Sequence, residues 1–185
     1  AITRNATGIV NAAGGGISNQ YTGSVSLNTA MALGTGGLTV APSVQNSNRW
    51  VSLNGNLSGT GGLTLNATGL NTVVLAGTNS FSGPIHIQSG YLNNNSAGAI
   101  PTGVAATLNG NWGLNYDVIL STLSGSGTFF RGNGSSVLTV GHGDASSSCA
   151  GTISTNATQL ISLTKIGAGN FTSTANNTNF SGTTT

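Results

Sequence analysis

The sequence predicts an all-β fold in which short parallel strands coil and stack into one solenoid domain spanning residues 1–185. Three observations support this prediction. Short units of apolar, polar and apolar residues recur along the chain, and glycine-rich segments recur around them. The composition combines 30 glycines and a hydrophobic fraction of 37% with a charged fraction of only 3%. These values indicate many tight turns, enough apolar residues for a core, and an almost uncharged surface.

The alternating units predict strands, because period-two alternation places neighbouring side chains on opposite faces. Their apolar ends are therefore expected to face the core, with Thr64 and His86 facing outward. The corresponding core residues are Leu63, Leu65, Val73, Leu75, Ile85 and Ile87. The units lie at residues 25–27, 38–40, 51–53, 63–65, 73–75, 85–87, 138–140 and 161–163. No segment predicts a helix longer than about one turn.

Asn-Gly pairs at residues 54–55, 109–110 and 133–134 predict turns, because both residue types accept positive φ at low cost. Such pairs alone would favour antiparallel hairpins. The glycine-rich segments, however, recur as wholes in one direction and not as mirror-paired strands. This longer pattern favours parallel strands in a coil, with two or three strands and roughly 20 to 30 residues per turn.

The recurring segments share a Gly-x-Gly-x-Leu/Phe pattern, or an Asn-x-Phe-Ser-Gly pattern. Examples are LSGTGGLTL at 57–65, LAGTNSFSG at 75–83, LSGSGTF at 123–129, LTKIGAGNF at 163–171 and NFSGTT at 179–184. They resemble the autotransporter-associated, or passenger-associated, β-strand repeats of bacterial autotransporter passenger domains. The resemblance implies a right-handed parallel β-helix located on a bacterial cell surface or in a secreted fibre.

Charge and hydropathy exclude several classes of function. The charged residues are Arg4, Arg49, Arg131, Lys165, Asp117 and Asp144, which give a net charge of +2. Four scattered cations form no basic stripe, so nucleic acid is not an expected partner. No apolar stretch approaches the roughly 20 residues of a membrane helix, so no membrane span is expected.

The lone cysteine excludes an internal disulfide framework. Cys149 precedes Ala-Gly at a position where related segments carry Phe81 or Phe180 before x-Gly. This alignment predicts a small core residue. An intermolecular disulfide is the alternative.

Few residues are suited to catalysis. Asp117 and Asp144 are the only acidic residues, whereas enzymes that cleave polysaccharides need paired carboxylates across the substrate. His142, Asp144 and the serines at 146–148 would supply the groups of a nucleophilic triad, but they lie in a glycine- and serine-rich stretch that predicts a loop. His86 has no second ligand nearby for a metal. We therefore expect no enzymatic activity, no catalytic or metal-binding residue and no cofactor.

Aromatic residues are few and scattered in the sequence. Trp50, Tyr91, Trp112 and Tyr116 have rings that are able to stack on sugars. Isolated aromatic residues in a solenoid more often fill a corner or cap an end. The sequence therefore favours a structural role for these four residues and leaves sugar binding open.

The predicted function is that of an extracellular structural subunit that assembles head to tail into a surface filament or fibre. The last segment, residues 180–185, ends before the alternating strand that follows Phe81, and residues 1–3 have the character of that strand. An unpaired strand edge invites pairing with another chain, so the expected partner is a second copy. The alternative is an adhesin fragment of an autotransporter passenger domain that binds a glycan or a host protein. Both functions place the chain outside the cell or on a bacterial cell surface.

Overall fold

A computed structural model describes residues 10–12, 15–17, 24–42, 49–132, 134–155 and 160–175. These residues form twenty short strands and one 3-10 turn at His142–Asp144. The strands are β1 (Val10–Ala12), β2 (Gly15–Ile17), β3 (Val25–Leu27), β4 (Met31–Leu33), β5 (Leu38–Val40), β6 (Trp50–Leu53), β7 (Leu57–Gly59), β8 (Leu63–Asn66), β9 (Thr72–Leu75), β10 (Ile85–Ser89), β11 (Tyr91–Asn94), β12 (Val104–Leu108), β13 (Asn111–Leu114), β14 (Val118–Ser124), β15 (Thr128–Arg131), β16 (Ser136–Val140), β17 (Ser147–Cys149), β18 (Thr152–Ser154), β19 (Ile161–Lys165) and β20 (Phe171–Ser173).

The strands form four parallel sheets that run along the stack. Sheet I has eight strands in the order β2, β5, β8, β10, β12, β14, β16 and β19, and sheet II has seven in the order β3, β6, β9, β11, β13, β15 and β18. Sheet III contains β1, β4 and β7, and sheet IV contains β17 and β20. Parallel pairing of strands from successive turns defines a β-solenoid of about 6 coils. The predicted all-β solenoid is therefore confirmed.

The predicted strands and core residues agree with the structure. The units at 25–27 and 38–40 coincide with β3 and β5, and the other units fall within β6, β8, β9, β10, β16 and β19. Leu63, Leu65, Val73, Leu75 and Ile85 have no exposed surface, and Ile87 has 1%. Thr64 and His86, which alternate with them, are partly exposed.

Core side chains form columns because each strand pairs in register with the strand one coil away. One column on the inner face of sheet II contains Val51, Val73, Leu92, Trp112, Phe129 and Ile153. The rings of Trp112 and Phe129 are tilted by 30°, with their centroids 5.5 Å apart. Burial of each large apolar side chain stabilises the fold by roughly 1.5–3 kcal/mol, so the columns are the main source of stability in a chain of low charge.

Buried asparagines connect successive coils at the corners. Asn79 is 8% exposed; its Oδ1 accepts a hydrogen bond from the backbone N–H of Leu57 at 2.7 Å. Its Nδ2 donates to the carbonyl oxygen of Ala99, also at 2.7 Å. Asn94 makes a similar bond, because its Nδ2 donates to the carbonyl oxygen of Tyr116 at 3.0 Å. These side chains satisfy backbone groups where the chain turns between strands and the ladder bonds are interrupted.

At two of the predicted Asn-Gly turns, the glycine does not supply the positive φ that the sequence predicted. Gly134 has a φ of +91°, in agreement with the prediction, but Gly55 and Gly110 do not adopt a left-handed φ. A side chain at Gly110 would place its Cβ 2.8 Å from the carbonyl oxygen of Gly90 on the previous coil. Gly55 is crowded in the same way by the backbone of Thr29. Close stacking of coils, not backbone conformation, therefore requires glycine at these two positions.

Candidate functional site

A groove lies on the outer face of sheet II, on the side of the solenoid. We call it the outer groove. Its volume is about 320 Å³, and its lining residues are Trp50, Leu70, Thr72, Tyr91, Asn93 and Phe130. Volumes of this size are at the lower end of those of small-molecule sites.

Strand alternation and register bring three of these side chains together. Trp50, Thr72 and Tyr91 are the first residues of β6, β9 and β11, and Thr72 pairs with Trp50 on one side and with Tyr91 on the other. Each precedes a core residue, so each points outward. Trp50 and Tyr91 therefore lie on the same outward column, with the small Thr72 between them.

A second outward column completes the groove. It contains Val74, Asn93, Gly113 and Phe130 on four successive strands of sheet II. Because Gly113 has no side chain, the Phe130 ring occupies that space: a Cβ at Gly113 would lie 2.8 Å from the ring. Phe130 also packs edge-to-face on Tyr91, with ring centroids 5.6 Å apart and an interplanar angle of 74°. This pair holds the aromatic wall of the groove in a fixed orientation.

The groove is apolar and uncharged, yet it includes polar groups. Trp50 is 45% exposed and Leu70 is 59% exposed, which is unusual for large apolar side chains. None of the described residues that line it is charged. The Oδ1 atom of Asn93 is buried and has no hydrogen-bond partner. Aromatic faces beside amide and hydroxyl groups suit a ligand with both apolar and hydroxyl-bearing surfaces.

The two carboxylates considered for catalysis are used in the structure as backbone acceptors. Oδ1 of Asp117 accepts a hydrogen bond from the N–H of Val137 at 2.8 Å. Oδ1 of Asp144 accepts one from the N–H of Ala168 at 2.7 Å. Each bond joins two successive coils. The structure does not bring these two carboxylates into one site.

His142, Asp144 and the serines at 146–148 would supply the groups of a nucleophilic triad. They lie near one another in sequence, but the structure does not arrange them as a triad. His142 is exposed and lies against Gly103, where an added Cβ would be 2.7 Å from its Nδ1 atom. The hydroxyl oxygen of Ser146 accepts a hydrogen bond from the N–H of Asn170 at 2.9 Å. That of Ser147 accepts one from the N–H of Leu123 at 3.2 Å. Both serines therefore stabilise the stacking of coils.

Within the described ranges, no group of three or more histidine, cysteine or acidic side chains is placed to hold a metal ion. His86 lies between Thr64 and Thr107 on the outer face of sheet I. The same part of the chain contains no helix that is long and apolar enough to cross a membrane.

The four aromatic residues singled out in the sequence have different environments. Trp112 is fully buried in the core column, and Tyr116 is 43% exposed at a corner away from the groove. The sequence suggested that Trp50 and Tyr91 are isolated. Parallel stacking of the coils instead brings them onto one face. Sequence reasoning missed Leu70 and Phe130. The adjacent pair Phe129-Phe130 was a usable signal, since alternation forces one of two neighbouring strand residues outward.

Cys149 lies in the core, as predicted, with 3% of its surface exposed. Burial raises the pKa of its thiol above the ordinary value of 9.0, and a backbone hydrogen bond from Gly151 opposes this effect. The fold therefore favours the neutral thiol. This preference for the neutral thiol stabilises the folded chain at pH values below the thiol pKa of the unfolded chain. The stabilisation is lost as the pH rises through the higher thiol pKa of the folded chain.

We expect Cys149 to react slowly in the folded protein. At pH 8, alkylation by iodoacetamide should be at least ~100-fold slower in buffer than in concentrated urea, because the reagent needs an accessible thiolate. Mass spectrometry of timed samples measures both rates. Similar rates in the two solvents would contradict the buried position of the thiol.

Comparisons of the chain with models of protein families, with curated protein sequences and with solved structures found no match. A function is therefore inferred from the parallel solenoid, its outer groove and its last described coil.

Proposed function

We propose that this chain is an extracellular structural subunit that stacks head to tail with copies of itself into a filament. The observation that supports this proposal is an apolar core that reaches the last described coil. Leu163 of β19 and Phe171 of β20 pack against the core but are only partly buried. They line a cavity with the core residues Leu123, Phe129, Leu138, Cys149 and Ile153.

The edge strands at this end are parallel to the other strands of their sheets. β19, β18 and β20 are the last strands of sheets I, II and IV among the described residues. Within the stack, such an edge is covered by the next parallel strand. A second copy that brings its own parallel strands in the same orientation would continue sheets I and II, which have strands at both ends of the described stack.

The opposite end of the described stack has matching features. β2 and β3 are the first strands of sheets I and II. Their core residues Ile17 and Leu27 are 7% and 8% exposed, whereas the interior core residues Leu63 and Leu65 have no exposed surface. An end-to-end contact of this kind joins two different surfaces and does not close on itself, so it generates a fibre.

The surface chemistry favours association and an extracellular setting. A net charge of +2 over 185 residues provides little electrostatic repulsion between copies. The resemblance of the glycine-rich segments to passenger-associated repeats supports a location on a bacterial surface or in a secreted fibre.

Substitution in the last described coil is expected to disrupt assembly. Leu163→Lys and Phe171→Asp place charges where a stacked copy would bury them, so each should weaken self-association at least tenfold. Sedimentation velocity over a range of micromolar concentrations measures the effect. The control is Ile119→Lys, because Ile119 is 37% exposed on the side of sheet I and lies away from the end coil.

Two results would contradict the stacking proposal. One is a wild-type chain that remains monomeric throughout the concentration range. The other is assembly of the two end variants at the same concentration as the wild type. Circular dichroism of each variant distinguishes a loss of stacking from a loss of folding.

A further inference from the structure

We propose that the outer groove binds an uncharged oligosaccharide whose chain runs along the solenoid axis. This function is independent of end-to-end stacking, because the groove lies on the outer face of sheet II. The geometry, polarity and size of the groove support it separately.

The spacing of the aromatic side chains suits two sugar rings of one extended chain that are not direct neighbours. Trp50 and Tyr91 lie on β6 and β11 with β9 between them, so two strand spacings of about 4.8 Å separate their backbones. The C–H face of a pyranose ring is apolar and stacks on an aromatic face, while its hydroxyls point sideways. An extended oligosaccharide along the axis is able to place one ring near Trp50 and another near Tyr91.

The floor of the groove offers groups for hydroxyls. Thr72 lies between the two aromatic residues and is 6% exposed; its hydroxyl donates a long hydrogen bond of 3.5 Å to the carbonyl oxygen of Leu70, and its oxygen is also able to accept one. Asn93 lines the groove from the neighbouring column; its Oδ1 is buried beside Gly113, and its Nδ2 is a hydrogen-bond donor.

The absence of charged lining residues limits the class of glycan. Sialylated, sulfated or phosphorylated ligands are bound through arginine or lysine, and none of the six lining residues is charged. The complementary ligand is therefore a neutral glycan. Exposed Trp50 and Leu70 supply apolar contact area in place of ionic bonds.

The small size of the groove favours an oligosaccharide over a protein partner. Stable protein interfaces bury roughly 800 Å² on each side and use about 20–30 residues. The outer groove is formed by six residues and has a volume of about 320 Å³. Its dimensions suit a narrow linear ligand that lies across a few strands.

Tryptophan fluorescence provides a direct test, because the two tryptophans have opposite environments. Trp50 is 45% exposed and Trp112 is fully buried. Titration with cello-, chito-, manno- and β-1,3-gluco-oligosaccharides should shift the emission of Trp50 to shorter wavelength with at least one of them. Calorimetry with the same oligosaccharide then measures affinity. Trp50→Ala and Tyr91→Ala should each weaken binding about fivefold to tenfold.

The matched control is Tyr116→Ala, which removes an aromatic ring that is 43% exposed outside the groove and should leave affinity unchanged. Leu163→Lys should also bind as the wild type does, since the end coil does not contribute to the groove. Failure of all four oligosaccharide series to bind would overturn the proposal. So would an affinity equal to that of the wild type in both Trp50→Ala and Tyr91→Ala, binding only to charged glycans, or an effect of Trp50→Ala on self-association alone.

Discussion

Leu65→Asp is expected to abolish folding or to lower the free energy of unfolding by several kcal/mol. Leu65 has no exposed surface and pairs in register with Val40 and Ile87, so it lies inside sheet I between two other core residues. An aspartate at this position has no cation within the apolar column. Burial of an unpaired carboxylate is among the most destabilising single changes, and loss of one coil removes the support of its neighbours.

The matched control for this prediction is Thr64→Asp, on the adjacent outward position. Thr64 pairs with Thr39 and His86 on the outer face of sheet I, where a carboxylate remains hydrated. The Thr64→Asp substitution should change the free energy of unfolding by less than about 1 kcal/mol. Urea unfolding followed by circular dichroism measures both variants. Equal loss of stability in the two would contradict the assignment of inner and outer faces.

Asn79→Leu is expected to lower the free energy of unfolding by about 2–5 kcal/mol. The side chain of Asn79 satisfies the N–H of Leu57 and the carbonyl oxygen of Ala99, and a leucine satisfies neither. Each buried backbone group left without a partner costs roughly 1–3 kcal/mol. The loss should exceed the gain from adding an apolar side chain.

Asn66→Leu provides the comparison for the buried asparagine. Asn66 is exposed at the end of β8, and its Oδ1 accepts a hydrogen bond from the hydroxyl of Ser89 at 3.1 Å. Water replaces this bond when it is lost, so the change in stability should be below about 1 kcal/mol. Chemical denaturation again measures the difference. A small effect at Asn79 would show that the corner does not depend on its side chain.

Alternation was sufficient to predict the strands with strongly apolar inner positions. Leu38, Val40, Leu63 and Leu65 flank single polar residues, and no other secondary structure buries such pairs on one face. The strands of sheet III were harder to recognise. Met31–Leu33 has an alanine between its apolar residues, and Leu57–Gly59 ends in glycine, so neither shows a clear polar-apolar contrast. Their strand conformation depends on pairing with neighbouring coils.

The outer groove depends on contacts that single segments do not contain. Trp50 and Tyr91 are 41 positions apart, and Phe130 lies a further 39 positions along the chain. Their proximity follows from the number of residues in each coil. That number varies along the solenoid, because loop lengths differ and the pairing of β12 with β14 shifts between Val104 and Ala106. Because the strand register is not evident from the sequence, the sequence alone predicts that these aromatic residues are isolated.

Electron microscopy of the purified chain at micromolar concentration tests the proposed head-to-tail stacking most directly. The eight described strands of sheet I give seven spacings of about 4.8 Å, so the described part of one copy contributes roughly 34 Å of rod. We predict filaments of uniform width that are many times longer than this and whose strands lie perpendicular to the filament axis. Phe171→Asp should shorten them to single rods. Isolated short rods at every concentration of the wild-type chain would contradict the account.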